Sequence, residues 1–200
     1  MLFKGYKFGL MLQLAVGPIC LFIFNLGSYN GIIVSLTGVL GVALVDAFYI
    51  LLAIYGIGEL IKKEKIRSIL KYGGALILIL FGIKFIADSI LSSYTPSTIT
   101  AEYQVQEVFL ESIIFTASNP LTIVVWAAIF SSKLSEENIV KKDAYLFGIG
   151  LVLSTITFLT GVALIGNITK TFLPQLAVTF LNIAVGMVII GFGIKQIRKE

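Results

Sequence analysis

Long apolar stretches alternate along the chain with short polar ones. The apolar residues fall into six blocks, Phe8 to Leu26, Gly31 to Gly58, Ile69 to Leu91, Val108 to Phe130, Ala144 to Gly166 and Leu176 to Ile194. Each is near or above the roughly 20 residues that a spanning helix needs. The pattern predicts an all-α integral membrane protein of six transmembrane helices. Two blocks are interrupted at comparable places: "LAVGPICLFIF" carries Gly17 and Pro18, and "FTASNPLTIVVW" carries Asn119 and Pro120. An interior proline removes a backbone hydrogen bond and clashes with the preceding turn, so both helices are expected to break there.

Composition agrees with the pattern. The 200 residues are 58% hydrophobic and 13% charged, with a mean hydropathy of +0.99, against about 45 to 50% apolar residues in soluble domains. Of the 15 lysines and arginines, all but Lys84 and Lys170 fall on one side of the membrane if six helices alternate. Positive loops stay cytoplasmic, so both termini are expected there. The net charge of +4 comes from those loops, and no nucleic-acid partner is needed to explain it. Lys4 and Lys7 make the start resemble a signal peptide, but no small-residue cleavage site follows, and the first helix is expected to be retained. Cys20 is the single cysteine and histidine is absent. There is no metal-ligand cluster, no phosphate-cradling glycine loop and no nucleophile elbow. The chain is therefore expected to be neither an enzyme nor an ATPase, and to need no cofactor.

The polar stretch "SSYTPSTITAEYQVQE", residues 92 to 107, divides the helices three and three and is expected outside. Residues 1–91 and 108–200 look like copies within one membrane domain. "GGALILILFGIKFI" and "IAVGMVIIGFGIKQI" share "FGIK" in the third helix of each half, and the first helix of each half carries the proline break. Three helices per copy force the second to enter from the opposite side, which makes an inverted repeat. Broken helices at matching places expose backbone groups at membrane depth, tolerated only where protein or a water-filled cavity satisfies them. Either both breaks line a central site or each merely kinks its helix for packing.

Asp46 lies about fifteen residues into the second helix, beyond the reach of interfacial snorkelling. A carboxyl at that depth costs about 2.5 to 3.5 kcal/mol on the insertion scale and marks an ion or substrate pathway, one that can take up and release a proton. The alternative is a structural carboxyl in a helix contact. Gly38 and Gly41 leave room for a ligand or for a neighbouring helix. Glu111, about 13 Å outward of Pro120 on an ideal helix, lines the outer mouth or sits among headgroups. Lys84 either snorkels outward or pairs with Asp46 or Glu111. Gln13, Asn25, Ser118 and Asn119 offer uncharged hydrogen bonds suited to a zwitterion, or to helix contacts. Trp126 and the tyrosines near block ends read as packing or interfacial anchors.

Taken together these residues resemble the LysE-type amino-acid exporters, the LysE/RhtB translocators, over nearly the whole chain. The resemblance rests on "GP" in the first helix, "TGVLGVALVDAFYILLAIYGIGE" in the second, "YGGALILILFGIKFI" in the third and "SNPL" in the fourth. It implies a small secondary transporter of a prokaryotic inner membrane that exports amino acids or related metabolites, in exchange for protons and often as a homo-oligomer. It assigns Asp46, Gly17, Pro18, Asn119 and Pro120 to the functional core. Val16 stands where the family commonly has a further proline, and Leu121 where it commonly has a lysine.

The resulting expectation is alternating access, with a small zwitterion between the two breaks and Asp46 exchanging a proton. The competitors are a metal or inorganic-ion transporter of related six-helix architecture and a non-transporting membrane scaffold. A cysteine introduced between residues 92 and 107 is expected to react with an impermeant thiol reagent in intact cells. Labelling only after permeabilisation would reverse the topology.

Overall fold

The computed structural model describes residues 1–13, 17–55, 64–94, 105–119, 122–127, 129, 141–172 and 175–198. The described residues are helical almost throughout. The helices are α1 (Leu2–Gln13), α2 (Pro18–Asn30), α3 (Ile32–Ile54), α4 (Glu64–Tyr94), α5 (Val105–Ala117), α6 (Lys141–Phe172) and α7 (Gln175–Arg198). A further helical segment covers 122–127. All six apolar blocks are thus mainly helical over their described parts. By length and composition, three described helices can cross a membrane, α3 and the apolar parts of α6 and α7, and the bent α1–α2 pair makes a fourth. Of the expected outer connector, 95–104 lies outside the described residues, while its ends extend α4 to Tyr94 and start α5 at Val105.

The first block is a broken span, with α1 and α2 meeting at 81°. Pro18 does not kink a continuous helix; it is the first residue of a new one, where its missing N–H is an orphan in any case. Gly17 precedes it in extended conformation, φ −117° and ψ −178°, and its carbonyl accepts the first α2 bond, from Leu21 N–H at 3.3 Å. Helices α1 and α2 together run from Leu2 to Asn30, beyond the block Phe8 to Leu26 at both ends. The expected loop before the second span collapses to Gly31, whose φ of +84° is open to glycine and strained for other residues.

The helices turn their faces as a membrane demands. On α3, Ile33, Leu40, Leu44, Phe48, Leu51 and Tyr55 form one exposed apolar stripe, while Ser35, Val42, Asp46, Tyr49 and Ala53 lie on the buried face. Lipid accepts the apolar stripe, so the polar residues are the ones that must turn inward. One core cluster joins Phe22, Val42, Leu78, Phe115, Leu159 and Ile189 from α2 to α7. Within it Phe22 stacks on Phe115 at 4.7 Å, and Phe81 meets Phe115 edge-on at 5.0 Å. A second cluster gathers Val45, Tyr49, Trp126, Phe147 and Leu151.

Glycines set the close approaches between helices. A Cβ built on Gly82 of α4 would lie 2.7 Å from the Gly186 carbonyl oxygen of α7 and 2.6 Å from Ile190. One on Gly193 would lie 2.9 Å from the Ala75 carbonyl oxygen and 2.8 Å from Ile79. Gly41 of α3 faces Phe109 O, Ser112 and Ile113 N of α5; Gly150 of α6 faces Leu2 O, Gly5 and Tyr6 N of α1. Such small-residue contacts replace the hydrophobic driving force that helices lose in lipid. Gly82→Leu is expected to destabilise the protein by about 1–3 kcal/mol through overpacking. Gly191→Ala, on α7 with nothing within 4 Å of the added carbon, is expected to be nearly neutral. Thermal unfolding of detergent-solubilised variants measures both.

Candidate functional site

The two apolar clusters part at one level, and a polar layer occupies the join. On α3, Val42 belongs to the first cluster and Val45 to the second; on α6, Leu159 belongs to the first and Leu151 to the second. Asp46 and Thr155 lie at these transitions. Asp46 is 3% exposed. Trp126 Nε1 donates to its Oδ1 at 3.2 Å, and Thr155 Oγ1 donates to its Oδ2 at 2.9 Å. Thr155 in turn accepts from Gln13 Nε2 at 2.8 Å.

Four segments of the chain therefore meet at one carboxylate. Gln13 is the last residue of α1, immediately before the break in the first span. Trp126 belongs to the segment 122–127 that follows the break in the fourth. An ionised carboxylate in a low-dielectric interior has to be hydrogen-bonded to offset its desolvation, and a donor on each oxygen supplies this. Asp46 is a packed and fully engaged group, not one open to solvent. The described interior charges elsewhere answer each other: Lys84 Nζ pairs with Glu111 Oε1, about one turn from the Phe81–Phe115 contact.

The second break is also held by α3. Its backbone closes through Ser118 N–H to Ile114 O at 2.9 Å, Asn119 N–H to Thr116 O at 3.1 Å and Thr122 N–H to Asn119 O at 3.1 Å. Tyr49 OH donates to the Ala117 carbonyl at 2.9 Å, one of the carbonyls that a helix end leaves without an intrahelical partner. The buried Thr116 hydroxyl has no hydrogen-bond partner among the described residues. Helix α3 thus touches both breaks, Asp46 through Thr155 and Gln13 on one side and Tyr49 on the other.

Of the residues singled out in sequence, Gln13 joins Asp46, with Gly17 and Pro18 across the same break, and the buried Asn119 lies at the second break. Pro120 lies outside the described residues. Gly38 and Gly41 face the α5 side chain of Ser112, and Gly38 also meets Leu26 and Ile23. Ser118 turns its hydroxyl back to the Ile114 carbonyl at 2.5 Å. Lys84 and Glu111 stand together, apart from the hydrogen bonds of Asp46.

Two residues of the network were not singled out as site residues in sequence. Trp126 was read as a packing or interfacial anchor, and it packs in the second cluster while donating to Asp46. Thr155 carried only a weak signal, the polar pair Ser154–Thr155 inside an apolar span. Among the described residues no group of three or more His, Cys, Asp or Glu is arranged to hold a metal ion.

Comparison with known proteins gives one result. Residues 10–200 match the family model described as LysE type translocator. No curated protein and no solved structure matches the chain.

Trp126→Phe keeps the ring and removes the donor to Asp46 Oδ1. It is expected to cost about 1.5–3 kcal/mol, the range for a hydrogen bond to a charged group. Unfolding at neutral pH checks this, and an unchanged stability would mean that Trp126 acts by packing alone.

Proposed function

The chain belongs to the LysE-type translocators and is a multi-pass membrane transporter; from that premise we propose that it exports amino acids or related small metabolites in exchange for protons. The observation that carries the proposal is Asp46, a buried carboxylate bonded to Trp126, which follows the second break, and to Thr155, which in turn holds Gln13 at the first. A carboxyl at that depth is costly and marks a pathway by default. The breaks provide what a zwitterion needs, since helix ends present unpaired backbone N–H and C=O groups at membrane depth. Gln13, Asn119 and the unpartnered Thr116 hydroxyl add neutral hydrogen-bonding groups at the same two places.

Alternating access in a three-plus-three inverted repeat is the mechanism this arrangement favours. Its support is reciprocity in the helix contacts. Gly82 faces Gly186 and Ile190, while Gly193 faces Ala75 and Ile79; exchanging residues at a constant offset of 111 turns the first contact into the second. Gly41 seats between a carbonyl and the amide four residues on, Phe109 O and Ile113 N. Gly150 seats likewise between Leu2 O and Tyr6 N. Contacts that map onto themselves are the signature of a pseudo-two-fold axis, about which one half can rock against the other. The external face of 92–107, cytoplasmic termini and a prokaryotic plasma membrane complete the proposal.

The metal-transport alternative has no histidine and, among the described residues, no group of three or more metal-ligating side chains to build on, where hard cations take six or more oxygen ligands. A scaffold would have little use for two helix breaks facing one carboxylate. The test is counterflow: proteoliposomes are loaded with single unlabelled amino acids and uptake of labelled ones is followed across pH. Saturable exchange within one amino-acid group is expected, and Asp46→Asn is expected to retain binding while losing the pH dependence. Folded protein that exchanges no amino acid would overturn the proposal.

A further inference from the structure

Thr155 has a single hydroxyl proton, and its neighbours decide where it points. Gln13 Nε2 donates to Thr155 Oγ1, so the Thr155 hydroxyl donates onward to Asp46 Oδ2. Trp126 can only donate, and it occupies Oδ1. Both carboxylate oxygens are therefore acceptors, which is the pattern of the anion.

A protonated Asp46 cannot keep that pattern. A proton on Oδ1 would face the indole N–H, a second donor. The proton must sit on Oδ2 and donate to Thr155 Oγ1. The Thr155 hydroxyl proton, displaced from Asp46, then has two places to turn. It goes either back to a carbonyl of its own helix, leaving the Gln13 bond as it is because Oγ1 can accept twice, or toward Gln13, whose amide then presents its oxygen. In the second case one proton enters from water and two hydrogen bonds reverse direction, while the Trp126 bond stays as it is. No covalent bond other than the O–H on Asp46 forms.

We infer that Thr155 and Gln13 are positioning residues that convert the protonation of Asp46 into the orientation of the Gln13 amide at the end of α1. The inference rests on the proton-coupled reading above. With Asp46 ionised, the amide end turned away from Thr155 is the oxygen, an acceptor suited to a substrate ammonium. With Asp46 protonated, that end is the NH2, which suits a carboxylate and opposes an ammonium. Because Gln13 closes α1 just before the break, proton uptake changes which end of a zwitterion the break favours. Among the described residues the groups around Asp46 have partners of their own. Tyr49, one turn along α3, is engaged with the Ala117 carbonyl. On α6, Ser154 is engaged with the Leu151 carbonyl. Trp126 and Gln13 supply the contacts from the other two segments, and Lys84 and Glu111 are paired with each other.

Infrared difference spectroscopy of the liposome-reconstituted protein, recorded across a pH titration without substrate, reads both events. Acidification is expected to raise a protonated-carboxyl band that Asp46→Asn abolishes. A side-chain amide band, abolished by Gln13→Leu, is expected to change with the same midpoint. Thr155→Ser should keep both signals. Thr155→Val should keep the carboxyl band, which also reports an intact site, and lose the amide response. A wild-type amide band that ignores the carboxyl titration, or one that still follows it in Thr155→Val, overturns this inference and leaves the transporter proposal standing. Absence of an Asp46 band from the wild type overturns proton coupling through Asp46 and this inference with it.

Discussion

A carboxylate placed inside a membrane protein has to find a donor for each of its oxygens, and the folded chain is arranged around that demand at Asp46. Trp126 and Thr155 meet it directly, and Gln13 fixes Thr155. Those three residues come from three different segments, so a single buried group links α1, α3, α6 and the helical segment 122–127. The cost of leaving one oxygen bare in low dielectric exceeds the worth of an ordinary membrane hydrogen bond, which averages about 0.6 kcal/mol. The network therefore specifies how these elements meet more firmly than the surrounding apolar contacts can.

The breaks follow from the same rule applied to the backbone. Lipid offers no hydrogen-bonding partner, so a helix can end at membrane depth only against protein or a wet cavity. Pro18 begins α2 where its missing N–H is harmless, and the Tyr49 hydroxyl covers the carbonyl left at the end of α5. The second of these ends is thus held by α3, the helix that also carries Asp46.

Packing supplies the remaining order. With no gain from moving apolar surface out of lipid, the helices associate where their backbones approach, at Gly82 against Gly186 and at Gly41 against Phe109 and Ile113. The aromatic group Phe22, Phe81 and Phe115 ties α2, α4 and α5 together, with the Lys84–Glu111 pair beside it.

The sequence by itself determined the class of the protein, the helical blocks, the place of both breaks and the depth of Asp46 within its helix. Each depends on local facts: run length against bilayer thickness, a proline's missing donor, and the cost of an acid far from water. Its resemblance to the LysE-type family was legible for the same reason, since "GP", "VDAFYILLA" and "SNPL" are contiguous in the chain. Only the tertiary structure decided what Asp46 touches. Gln13 and Thr155 are 142 residues apart, and Trp126 and Asp46 are 80 apart. No periodicity carries such pairings, because they arise from the packing of α1 against α6 and of the segment 122–127 against α3. The neighbours of Gly38 and Gly41, Ser112 of α5 among them, and the partner of Lys84, Glu111, were likewise open in sequence, because they depend on which helix lies opposite.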